Sequence, residues 1–171
     1  MENSTRDRRI CQKISAAHDL FALWGEALGN DPDIGPLLKS LTAKIAASTK
    51  AMNDFGITSA CRHCSEEDGY TCCGAGIENR YSSRLLLINL LCGTALPTKR
   101  FWENSCFFLS ENGCRLKVRL VLCVNYLCLK IRRLGSSEEL AGLQKITGEE
   151  MEAGFILEEA VKKFIAERVQ G

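Results

Sequence analysis

The chain has 171 residues, 46% hydrophobic and 25% charged, which is enough for one domain with a real core and leaves no need for disulfides to replace it. Its 22 Lys and Arg against 21 Asp and Glu leave a net charge of +1, which argues against a whole-domain phosphate-binding surface and so against nucleic acid as a partner. No apolar run is long enough to cross a bilayer, and the start lacks the apolar core of a secretion signal. A cytoplasmic protein away from the membrane is expected, and in that compartment clustered cysteines point to metal or redox chemistry rather than to a disulfide scaffold.

In chain order, Ile10, Ile14, Ala17, Phe21, Trp24 and Leu28 fall at steps of three and four and predict a helix from Thr5 to Leu28, ended by Gly29. Pro36 is placed to open a second helix faced by Leu38, Leu41, Ile45, Met52 and Phe55, with Gly56 as its stop. Residues 57–76 carry no apolar period and read as an irregular loop. Tyr81, Leu85, Ile88 and Cys92 mark a third helix, and "CFFLSENGC" reads as a short hairpin turning at Asn112-Gly113. Val124, Leu127, Ile131 and Leu134 predict a fourth helix over about 118–134. Ser136 with Glu139 resembles a capping box for a short fifth helix. Thr147 with Glu150 resembles another, before a last helix faced by Met151, Phe155, Val161, Phe164 and Ile165.

The expected architecture is mostly α: one domain, 1–171, of about five to six helices around an irregular cysteine-rich metal-binding centre with a short β-hairpin. Residues 1–56 form an N-terminal helical hairpin, 57–128 the cysteine-rich core and 129–171 the C-terminal helices.

Of the ten cysteines, Cys11 and Cys92 sit on or beside helical apolar stripes and read as core packing. Cys61 and Cys64 form a C-x-x-C, the recurrent half-site of zinc and iron–sulfur proteins. Thioredoxin-like redox pairs share that spacing but follow a strand, which is missing here. Cys72 and Cys73 are adjacent, so in extended backbone their side chains point apart, toward two centres or one. Folding the hairpin brings Cys106 and Cys114 near each other. Cys123 and Cys128 are five apart and cannot face one site from an unbroken helix. Cys123 is the better ligand, while packing and ligation both stay open for Cys128.

"CRHC…CC" followed by "CFFLSENGCRLKVRLVLC" resembles the bacterial cysteine-cluster family of the YkgJ type, described as zinc- or iron-chelating proteins. The matching positions are Cys61, Cys64, Cys72, Cys73, Cys106, Cys114 and Cys123, with Phe108 and Leu109 in the family's F-L. The gap of seven residues between Cys64 and Cys72 is longer than the family's, Lys117 stands where the family has Tyr, and Arg119-Leu120 replaces Arg-Pro. The resemblance spans residues 61–123, implies a metal and implies no reaction.

Seven or eight thiolates favour soft ions. The metal set expected is Cys61, Cys64, Cys72, Cys73, Cys106, Cys114, Cys123 and Cys128, with His63 beside it. The loop glycines Gly69, Gly74 and Gly76 would let amides approach sulfur, which favours an iron–sulfur cluster over zinc. The expected role is structural or electron transfer, with an unidentified protein or redox partner. A thiol- or cluster-dependent enzyme (oxidoreductase or group transferase) is the first alternative, although the chain offers only His18 and His63 as imidazoles and the acidic run Glu66, Glu67 and Asp68 reads as a solvated turn. A metal-stapled protein-binding module, with Trp102 marking its surface, is the other. The cations of Arg115–Arg133 read as solvated.

Overall fold

The computed structural model of the chain describes residues 5–66 and 72–169, with 65 and 66 as backbone only. Gly69, Glu67 and Asp68 therefore lie outside the described residues. Helix α1, Arg8–Asn30, buries Ile10, Ile14, Ala17 and Leu28. Helix α2, Ile34–Asp54, buries Ile34, Leu41, Ile45 and Met52. Gly29 does not stop α1, and α2 opens ahead of Pro36. The connector is organised by Asp31, whose Oδ1 accepts from the amides of Asp33 and Ile34 at 3.0 and 3.1 Å. Pro36 still falls in the first turn, where the missing amide breaks no helical bond.

The loop expected at 57–76 is in part a helix, α3, Ile57–Glu66. Gly56, at φ +85°, turns the chain out of α2, and Ala60 donates its amide to Gly56 O at 3.0 Å. The helix escapes an apolar pattern because its half-buried positions are only Ile57, Ala60 and Cys64, while exposed Cys61 stands one turn before Cys64. A 3-10 turn, Ile77–Arg80, leads to α4, Ser83–Leu91. Ser82 caps α4 by accepting the Leu85 amide at 3.0 Å.

Strands β1, Leu109–Ser110, and β2, Gly113–Cys114, pair antiparallel, with Leu109 opposite Cys114 and Ser110 opposite Gly113. The turn is thus Glu111-Asn112, one residue earlier than expected, with Gly113 at φ +92° as the left-handed residue that follows it. Cys106 lies outside this ladder.

The single helix expected at 118–134 is two short ones, α5, Val121–Asn125, and α6, Leu129–Arg132. Val121, Val124, Asn125 and Tyr126 are weak helix formers, and the chain leaves helical geometry at Tyr126. The two helices expected beyond it are one, α7, Ser137–Val169. The first capping box forms: Ser136 N donates to Glu139 Oε2 at 2.7 Å and Glu139 N to Ser136 Oγ at 3.2 Å. The second does not, because Thr147 is buried in mid-helix and donates to Gln144 O. The buried stripe of α7 runs through Leu143, Thr147, Glu150, Ala153, Leu157, Val161 and Phe164, which leaves Phe155 exposed.

α1 packs on α4 and α2 on α7, and their stripes meet in a core that also takes Tyr81, Phe107, Phe108, Leu116 and Val118. The chain is therefore mostly helical, with one short two-stranded sheet among the described residues. No described helix is long and apolar enough to cross a membrane.

Glu150 is buried between α2 and α7. Burial raises its pKa from the ordinary 4.5, and neighbouring Ser48 and Arg119 only partly offset this. A raised carboxyl contributes stability that is complete below its unfolded pKa and is lost as pH rises through the folded one. Glu150→Gln should therefore melt a few degrees above the parent at pH 7 and level with it near pH 4, followed by circular dichroism.

Candidate metal centre

Seven of the eight candidate cysteines line one cavity of about 730 Å³: Cys61, Cys64, Cys72, Cys73, Cys114, Cys123 and Cys128. Cys106 is buried beside it, and Cys11 and Cys92 pack against the main core elsewhere. No disulfide joins any cysteine among the described residues. The break between α5 and α6 removes the obstacle posed by the Cys123–Cys128 spacing, since each sulfur is carried by its own short element.

The thiols act on one another in two sets. Cys73 feels the charges of Cys114, Cys123 and Cys106, and Cys106 and Cys123 each feel Cys114. Those four form an inner set. Cys61 feels Cys72, Cys128 and Cys64, which form an outer set. The sets adjoin at the vicinal pair, where the Cys72 thiol and the Cys73 sulfur share a hydrogen bond that raises the first and lowers the second, and Cys123 also feels Cys72 across the division. Burial, ahead of thiolate repulsion, pushes Cys106 up to about 12 and Cys61 to about 11. It also raises Cys114 and Cys123.

The inner set is held by contacts far apart in sequence. Gly74 and Ser105 form an isolated antiparallel bridge, and the Cys106 amide donates to Cys73 O at 2.6 Å. This joins the Cys-Cys segment to the approach of the hairpin, a link no local pattern signals. Beneath it Arg100, its side chain 7% exposed, pairs with Asp7 at 2.6 Å and with Glu78, and donates to Ser105 O. Buried Asn89 of α4 donates to Val118 O and accepts from Val118 N, both at 2.9 Å, fixing the chain just past the hairpin. Tyr81, packed edge-on against Phe108, accepts the Leu120 amide at 3.3 Å and hydrogen-bonds the Cys123 sulfur.

The outer set is carried by α3, which packs on β2 and α6, by Cys72, and by Cys128 at the start of α6. Lys130 Nζ lies 3.5 Å from Cys64 Sγ. Arg62, Lys117, Arg119 and Lys130 line the cavity against the one carboxylate of Glu111 among its described lining. Several cations of the 115–133 segment thus face thiols rather than only solvent. Trp102 is partly buried in the same lining, and its neighbour Phe101 is the exposed aromatic. His63 and His18 are exposed on α3 and α1.

Comparison with family models, curated proteins and solved structures returns no match, so the resemblance to the cysteine-cluster family rests on the cysteine spacings alone. Among the described residues no three His, Cys, Asp or Glu side chains stand close enough together to hold an ion directly. The donors nevertheless suit soft metals in kind: all are sulfur, they surround a shared space, and cations accompany them. They stand around a volume rather than about a point. A tetrahedral zinc site, with Zn–S near 2.3 Å, would need its four sulfurs within ~3.8 Å of one another.

Removing Arg100 would leave the fully buried carboxyl of Glu78 without its cationic partner. Arg100→Ala should cost about 3–5 kcal/mol of stability in urea unfolding, whereas Arg62→Ala on exposed α3 should change it by less than about 0.5 kcal/mol.

Proposed function

We propose that this chain is a soft-metal-binding protein whose eight clustered cysteines hold two centres, an inner one on Cys73, Cys106, Cys114 and Cys123 and an outer one on Cys61, Cys64, Cys72 and Cys128. The observation that carries this reading is the gathering of seven of the eight cysteines around a single cavity, with the eighth, Cys106, bonded through its backbone amide to Cys73. Four is the number of thiolates that one tetrahedral ion or one cubane cluster takes. The wide spacing of the sulfurs favours an iron–sulfur cluster over zinc, because a cluster spreads its ligands around its own volume and asks less closure of the protein. Such a cluster would supply one-electron chemistry or a structural staple.

The chain's own residues then have assignable parts. The core beneath Phe107 and Phe108 holds the inner sulfurs in place against their mutual repulsion. Arg119 reduces the cost of charge on Cys61, Cys114 and Cys123. Lys130 Nζ stands 3.5 Å from Cys64 Sγ. The apolar part of the lining, with Trp102, Leu109 and Leu122, keeps the surroundings of the sulfurs of low polarity, a setting that tunes potential and ligand exchange.

A second reading is a thiol oxidoreductase built on the vicinal pair. Its support is the hydrogen bond from Cys72 that lowers the Cys73 pKa, the environment of a reactive thiolate.

Metal, acid-labile sulfide and a visible spectrum on anaerobically purified protein separate the readings. Iron with matching sulfide and a broad absorption near 400 nm, in ~8 iron atoms per chain, is the expected result. Two zinc ions without sulfide would keep the two centres and replace the cluster. A folded chain with neither metal, in which Cys72 and Cys73 cycle between thiols and a disulfide, would overturn the metal reading. Cys114→Ser should lower bound metal by about half and also lower stability.

A further inference from the structure

We propose that a second cavity, between α7 and the segment 118–124, binds a small aliphatic carboxylic acid, with the ligand's carboxyl group at Glu150 and Arg119 and its chain along α7. The site holds no cysteine, goes beyond the metal reading and stands whether or not the thiols hold metal.

The cavity measures about 330 Å³, at the small end of ligand pockets. Buried Leu41, Leu85, Val118 and Val124 supply apolar walls, and exposed Leu122 and Phe155 belong to the same lining and mark its mouth. Gly154 of α7 adds no side chain to it.

Two carboxyl groups and two guanidiniums are set into this apolar lining. Glu150 and Glu158 stand eight residues apart on α7, ~12 Å along the axis, and so mark its two ends. The Glu158 end is already matched. Ser82 Oγ donates to Glu158 Oε1 at 2.9 Å, and Arg80, two residues before Ser82, lines the cavity there. The Glu150 end is not matched. Glu150 is 4% exposed, and its Oε2 has no hydrogen-bond partner among the described residues. The neighbouring Ser48 Oγ has none either. Arg119 bears on Glu150, yet the hydrogen bond its guanidinium makes is from Nη2 to Met52 Sδ, at 3.4 Å, and a thioether is a weak acceptor.

A buried carboxyl and a half-buried guanidinium, both short of oxygen partners, are groups that a ligand carboxyl satisfies together. Burial disfavours charge on Glu150. One proton is therefore held between the two carboxyls, and Arg119 balances the remaining negative charge through charge-assisted hydrogen bonds. An alkylammonium would instead meet the Arg119 cation, and an alcohol would leave that cation unmatched. A chain of a few carbons then lies on the apolar walls.

Hexanoate is the probe, titrated into the full-length chain at pH 7 by calorimetry, beside hexylamine and hexan-1-ol. One site per chain is expected, with hexanoate bound roughly tenfold or more tighter than the other two. Glu150→Gln keeps a donor and fixes the group neutral, so it should bind hexanoate at least as well as the parent. Arg119→Met should weaken binding roughly tenfold or more. Should Arg119→Met fail to fold, Gly154→Leu decides. A Cβ at Gly154 would meet Leu41 Cδ1 at an ordinary 3.9 Å, and leucine favours the helix while taking up the cavity. The folded variant, checked by circular dichroism, should lose the site. No saturable binding, equal binding of the three probes, loss of hexanoate in Glu150→Gln, or hexanoate binding that survives Gly154→Leu would overturn the proposal. Tighter binding of hexylamine, abolished in Glu150→Gln, would overturn it in favour of a cationic ligand.

Discussion

Thiolates gathered around one cavity repel one another, and every other feature of this fold bears on holding them there. Burial raises Cys61, Cys106, Cys114 and Cys123, and neighbouring thiolates add to this at Cys61, Cys106 and Cys123, so ionising these thiols gives the cluster a tendency to spread. It is opposed by bonds that do not involve sulfur. The Cys73–Cys106 backbone contact, the Gly74–Ser105 bridge and the buried Arg100–Glu78–Asp7 group fix two distant segments side by side. Asn89 and Tyr81 do the same for the segment leading to Cys123. The helical core is thus the support on which the sulfur arrangement rests.

The helices that bury aliphatic stripes were legible from residue spacing alone. α1, α2 and α4 differ from expectation only at their ends, where Asp31 and Ser82 set the caps. α3 was not legible, because its half-buried face is only Ile57, Ala60 and Cys64, too short and too mixed for a periodicity in apolar residues to register. The false capping box at Thr147 has the opposite cause: the pattern is local, and its meaning was decided by burial against α2. Likewise Phe155 had the spacing of a core residue, yet the helix face that meets α2 passes through Glu150 and Leu157 instead.

For the candidate site, the identities of the cysteines were readable and their grouping was not. Pairing Cys106 with Cys114 across a hairpin was a sound local inference. The ladder instead sets Cys114 opposite Leu109, and Cys106 takes its nearest backbone partner from the Cys-Cys segment. The gathering depends on the break at Tyr126, which lets Cys123 and Cys128 line the same cavity. Propensity hints at a weak helix there, but only the packing of α6 on α3 shows where the second sulfur goes.

The charges around the cavity bear on the same division. A divalent ion bound by four thiolates is doubly negative, and two such centres within one cavity would repel strongly in surroundings of low polarity. Arg62, Lys117, Arg119 and Lys130 against Glu111 give the described lining an excess of positive charge, of the sign needed to offset them. A net charge of +1 over the whole chain conceals this, since averaging over the domain cancels a local excess. Arg119 is the most telling of the four. It lines the cavity while bearing on Cys61, Cys114 and Cys123 at once, so it acts on both sets, and its Nη2 rests on Met52 Sδ at 3.4 Å. A cation held there against α2 would compensate charge at the boundary between two such centres, where repulsion between them would be greatest.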